Sequence, residues 1–166
     1  MNPTLAELYQ RVILQHNREP QNFGPLPQAT HHASLHNALC GDQVLLHLRL
    51  DPTQEPGDGE PPRIVQARFE GDGCALSRAS ASLLTQHVIG CTPQQALAQA
   101  AALRQFLQPR RPGDVGADAS AADAQPSEPA LGDLVALQGV RDVPSRLRCA
   151  TLPWEALVHA LQGAAR

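Results

Sequence analysis

The chain has 166 residues, a length that one domain fills and that buries a core without disulfide staples. A net charge of −3 and an aromatic content of 3% exclude nucleic acid as the main partner, because clustered basic surface and base-stacking platforms are both lacking. No run reaches the roughly 18 apolar residues of a membrane helix and Met1-Asn2-Pro3-Thr4 lacks a signal-peptide pattern, so a cytoplasmic protein with no membrane partner and with reduced thiols is expected.

Thr4 to Asn17 predicts a helix. Thr4 stands at the cap, Glu7 three residues on completes a capping box, and Leu5, Leu8 and Val12 form an apolar stripe. It ends before Pro20. A strand over His32 to Ala38 precedes two others, Val44 to Leu50 and Ile64 to Glu70. Val44, Leu46, Leu48 and Leu50 alternate with Leu45, His47 and Arg49, and Val65, Ala67 and Phe69 alternate with Gln66, Arg68 and Glu70. Asp51 to Pro62 is rich in turn formers and reads as their hairpin connection.

After Cys74 the period changes to that of a helix, with Leu76, Ala79, Leu83 and His87 on one face and Gly90 at its end. The small residues Ala79 to Ser82 allow close helix packing. Pro93 opens a second helix that runs to Leu107. Pro109 to Pro129 is poor in bulky apolar residues and reads as a flexible insertion. A short helix follows over Leu131 to Leu137, Pro144 breaks it, and a last helix covers Pro153 to Leu161 with Trp154, Leu157, Val158 and Leu161 inward.

Three of the four cysteines fall at element boundaries: Cys40, Cys74 and Cys149, the last placed just before the final helix. With Asp42 they make a set of three thiols and one carboxylate, which matches the count and donor types of a zinc site. The spacing holds no C-x-x-C pair, so on spacing alone two other readings stand beside the metal: Asp42 as a turn residue, and each cysteine as a small buried hydrophobe. Cys91 reads as structural, and His31, His32 and His36 as polar strand or loop positions.

The segment Gly71-Asp72-Gly73-Cys74-Ala75-Leu76-Ser77, followed by Ala79 to Gln86 and Val88-Ile89-Gly90, resembles the central signature of the IscU/SufU family, the NifU N-terminal-like proteins of iron–sulfur cluster biogenesis. Cys40-Gly41-Asp42 resembles its first motif, and Leu147 to Leu152 with Trp154 its third. His16 through Pro20 and Asn22-Phe23-Gly24 match its N-terminal region. The resemblance covers nearly the whole chain except Pro109 to Pro129. It implies one α+β domain over residues 1–166, a three-stranded antiparallel sheet with helices packed on one face and a metal site at one end.

Within that family, scaffold-type members place a His before the third cysteine; here Arg148 stands there, and the Gly-Asp-Gly-Cys form and the insertion resemble the SufU type. This resemblance implies zinc held by Cys40, Asp42, Cys74 and Cys149. It also implies a zinc-dependent sulfurtransferase that accepts persulfide sulfur on Cys40 from a SufS-type cysteine desulfurase and relays it to a downstream cluster scaffold or other acceptor. Arg146, Arg148 and Arg78 are candidates to lend positive potential. Two alternatives remain: a [2Fe–2S] assembly scaffold, whose cofactor would be an iron–sulfur cluster, and a zinc-stabilised interaction module without chemistry.

Overall fold

The computed structural model describes residues 4–51, 59–109 and 131–163. The expected hairpin connection and insertion lie, over 52–58 and 110–129, outside these residues. Helix α1 spans Leu5–Arg18, with Thr4 and Glu7 forming the anticipated reciprocal cap. Its inward face is Tyr9, Val12 and Ile13, while Leu8 is exposed, so the stripe is rotated from the Leu5-Leu8-Val12 one.

Strands β1 (His31–Asn37), β2 (Asp42–Leu50) and β3 (Ile64–Glu70) form an antiparallel sheet in the order β1-β2-β3. Val44, Leu46, Leu48 and Leu50 are buried as their alternation requires. On β3 the alternation breaks. The register shifts between Arg49 and Leu50, so that Leu50 faces Ile64; Ile64 is buried and Val65 turns outward.

Helices α2 (Ala75–Val88) and α4 (Leu147–Gly163) cover one face of the sheet, α2 against β3 and α4 against β1 and β2. Helix α2 is buried from Ala79 through Thr85, since α1 and α4 both pack on it. Two of its buried hydroxyls reach the N-terminal region: Ser82 Oγ meets His16 Nδ1 and accepts from the Gln21 N–H, both at 2.7 Å, and Thr85 Oγ1 accepts from Asn22 Nδ2 at 3.1 Å. These contacts pin the end of α1 and the loop after it, which explains His16 and Asn22 structurally. Helix α3 (Pro93–Phe106), capped by Thr92, packs on α4.

Two sequence expectations change in the C-terminal third. The helix expected over Leu131 to Leu137 is a 3₁₀ segment, Gly132–Asp142. Leu131, Leu134, Leu137 and Val140 recur every three residues and are all buried, which is the period at which 3₁₀ side chains eclipse. The last helix starts at Leu147, six residues before Pro153. Cys149 therefore lies inside its first turn and is buried.

Candidate metal centre

Three chain segments meet at the end of the sheet where β2 begins. The β1–β2 hairpin closes on the pair Asn37 and Asp42. Buried Asn37 holds the turn: its carbonyl accepts from the N–H groups of Cys40 (3.3 Å) and Gly41 (2.8 Å), and its Oδ1 accepts from the Leu39 N–H at 3.2 Å. Gly41 turns the chain at φ +76, and Asp42 enters the sheet with its carboxylate buried.

The loop after β3 is fastened to β2 by the Gln43 N–H, which donates to the Asp72 carbonyl at 2.7 Å. Gly71 sits at φ +128, and a Cβ there would collide with the Gln43 carbonyl oxygen. This close approach delivers Cys74 to Asp42. The Cys74 N–H donates to Asp42 Oδ1 at 2.8 Å, and Cys74 caps α2, its Sγ accepting from the Ser77 N–H at 3.4 Å. Cys149 arrives from above on α4, whose first turn is tied to α2 by the Ser80 hydroxyl donating to the Ala150 carbonyl at 2.6 Å.

The donor atoms of Cys40, Asp42 and Cys149 all lie within 4.8 Å of one another. Cys40 and Cys149 are 3.8 Å apart, sulfur to sulfur, and Cys74 Sγ is 3.6 Å from Asp42 Oδ2. A tetrahedral zinc with ordinary bond lengths would set an S···S edge of about 3.8 Å and an S···O edge of about 3.6 Å. The two separations fit. Oδ1 is engaged by the backbone, which fixes the carboxylate's orientation and turns Oδ2 toward the Cys74 thiol, where it could take a metal.

Electrostatics also favour a cation. Burial acts to raise the Asp42 carboxyl, but hydrogen bonds from the Cys40 thiol, the Cys74 N–H and the Cys149 and Cys74 thiols outweigh it and hold the group below the usual carboxylate range. At Cys149, burial, then the charge of Cys74 and the hydrogen bonds with Asp42, Cys40 and Cys74, push the thiol well above its ordinary range. With Asp42 ionised, the three thiols could lose their protons together only beside a compensating dication, and zinc would suit this mixed sulfur and oxygen set.

The donor atoms of Cys40, Asp42 and Cys149 thus form one close group, and Cys74 adjoins it through Asp42 without being part of the mutually close set. Cys91 lies apart: its carbonyl accepts from the Ile64 N–H at the far end of β3, and its thiol donates to the His87 carbonyl at 3.3 Å. Among the described residues no histidine joins the cluster of donor atoms. Arg148 points to Glu155, 3.9 Å away, and the Arg78 guanidinium lies 4.8 Å over the Phe23 ring. Neither contact directs positive charge at the thiols. Asn37 is a residue the sequence reading passed over, although an Asn side chain commonly bonds the backbone two residues on, as this one does at Leu39.

A thiol–carboxylate cluster that could hold a metal ion, set at one end of a helix-covered three-stranded sheet, defines the class: a small α+β protein. Residues 8–102 match the NifU-like N terminal domain, a span that includes Cys40, Asp42 and Cys74. The chain belongs to this family of iron–sulfur cluster assembly proteins. It is 36% identical, over 94% of its length and 90% of the relative's, to the zinc-dependent sulfurtransferase SufU of Bacillus subtilis. It is 30% identical, over 97% of its length and 87% of the relative's, to the iron–sulfur cluster assembly scaffold protein IscU of Streptococcus pyogenes. A crystal structure described as a cluster assembly scaffold protein for the SUF system, from Fervidobacterium islandicum, superposes with a TM-score of 0.73 at 27% identity, covering 95% of this chain and 99% of that one.

Proposed function

We propose that the chain is a zinc-dependent sulfur carrier that accepts persulfide sulfur on Cys40 from a cysteine desulfurase and passes it on for iron–sulfur cluster assembly. One observation carries the reading. Within the cluster Cys40 is exposed, on a hairpin tip, whereas Asp42 and Cys149 are buried and Cys74 is half-buried. Only Cys40 is placed for a protein partner to reach. Zinc held by Cys40, Asp42, Cys74 and Cys149 would keep the thiols deprotonated at neutral pH. The similarity to SufU and the Arg148 position support this function over the scaffold reading.

In the transfer, the Cys40 thiolate attacks the terminal sulfur of the donor's persulfide. A new S–S bond forms on Cys40, the donor's S–S bond breaks, and the donor cysteine leaves as a thiolate. The terminal sulfur carries its hydrogen with it, so no oxidant or reductant is consumed. Asp42 and Cys149 are buried beside Cys40, and the turn that carries Cys40 is held by Asn37.

The test combines metal analysis with sulfur uptake. Protein purified anaerobically should carry zinc, and with desulfurase and cysteine it should gain sulfur on Cys40 and raise sulfide release in the presence of a reductant. Cys40→Ala should abolish the uptake. Iron with visible absorption bands would establish the scaffold instead, and sulfide release unchanged by the protein would leave an interaction module.

A further inference from the structure

We propose that Leu39 is the docking anchor for the sulfur-donating protein, seating in an apolar recess beside the donor's persulfide-bearing cysteine; the proposal rests on the sulfur-transfer reading of Cys40. Leu39 is 94% exposed, whereas the other exposed large apolar side chains among the described residues are 39–46% exposed. A hairpin tip ordinarily takes polar or turn-forming residues, and a fully solvated leucine there does nothing for the fold. It is absent from the core and from the side chains packed on the core.

The side chain is nonetheless presented from a fixed backbone. The Leu39 N–H is held by Asn37 Oδ1, and the next two N–H groups, of Cys40 and Gly41, are held by the Asn37 carbonyl. Consecutive Cα atoms stand about 3.8 Å apart, so a protein that brings a sulfur into bonding range of the Cys40 thiol comes within reach of Leu39. The occupant is therefore the donor, at the moment of transfer. Burying this solvated leucine against the donor would remove its apolar surface from water, which is a favourable contribution to docking.

The experiment uses the zinc-loaded full chain, as wild type, Leu39→Ser and Leu39→Met. Each is mixed with persulfide-charged desulfurase over a range of concentrations, and sulfur on Cys40 is followed by mass spectrometry. For Leu39→Ser the half-saturating desulfurase concentration should rise on the order of tenfold with the maximal rate unchanged, and Leu39→Met should stay near wild type. Zinc content and unfolding midpoint should be equal in all three. A half-saturating concentration unchanged by Leu39→Ser overturns the anchor while leaving sulfur transfer intact. Loss of zinc or of stability in Leu39→Ser places Leu39 in the fold and also overturns it. Failure of the wild type to take up sulfur overturns the functional reading itself.

Discussion

Asp42 does two jobs with two oxygens. Oδ1 accepts the Cys74 N–H and so joins the start of β2 to the start of α2, while Oδ2 faces the thiols. Asp42→Ala removes both. It should lower stability by about 1–2 kcal/mol through the unpaired Cys74 N–H and should lose zinc on dialysis. Asp42→Asn keeps an oxygen for the N–H but not the charge that balances a dication, so it separates the two roles. It should recover most of the metal-free stability and still retain zinc poorly. Thermal unfolding of the metal-free variants reads the first role and zinc content after dialysis the second; full zinc retention in both variants would remove Asp42 from the ligand set.

Among the elements, the Gly71–Cys74 loop matters most to the site, because it converts a strand pairing into a ligand position. Gly71 at φ +128 lies against the Gln43 carbonyl, and Gly73 passes close to Ser77 and Asp42. Gly71→Ala should therefore cost about 2–4 kcal/mol, from the strained backbone and the forced separation from β2, and should displace Cys74 enough to weaken zinc retention. Chemical denaturation and metal content check both effects. The ends of β3 and α2 were legible because Glu70, Gly71 and Cys74 change the hydrophobic period abruptly. The start of α4 was not. Pro153 looks like a first-turn proline, yet the helix absorbs it in its interior while buried Ala150, Leu152 and Trp154 hold the preceding turn in place. Val65 misled for a similar reason, since an alternation carries no sign of the bulge that turns it outward. The candidate donors were legible one at a time. Their grouping came from the family resemblance and not from spacing, because Cys149 meets Cys40 only through α4 packing on β1 and β2, a contact that no local pattern encodes.

On the scale of the molecule, the thiol–carboxylate cluster sits at one end of a core of buried leucines. Leu46, Leu48, Ile64, Leu83, Leu84, Leu103, Leu137, Leu152 and Leu157 are fully buried between the sheet and the helices, away from the thiols. A domain of this size stands on such a core, unlike a zinc finger, which unfolds without its metal. Zinc removal should therefore loosen the end of the sheet without melting the chain. With free zinc at about a hundredfold above its dissociation constant, binding to the native state alone adds about 2.7 kcal/mol, which for a chain of this length moves the unfolding midpoint by about 5–10 °C. Chelation should lower the midpoint by that amount and leave the far-ultraviolet circular dichroism at room temperature nearly unchanged. The Cys40–Gly41 hairpin and the Gly71–Cys74 loop should then gain hydrogen exchange while β2 and α2 keep their protection. Global loss of helical signal on chelation would show instead that the four ligands, rather than the leucine core, hold α4 on the sheet.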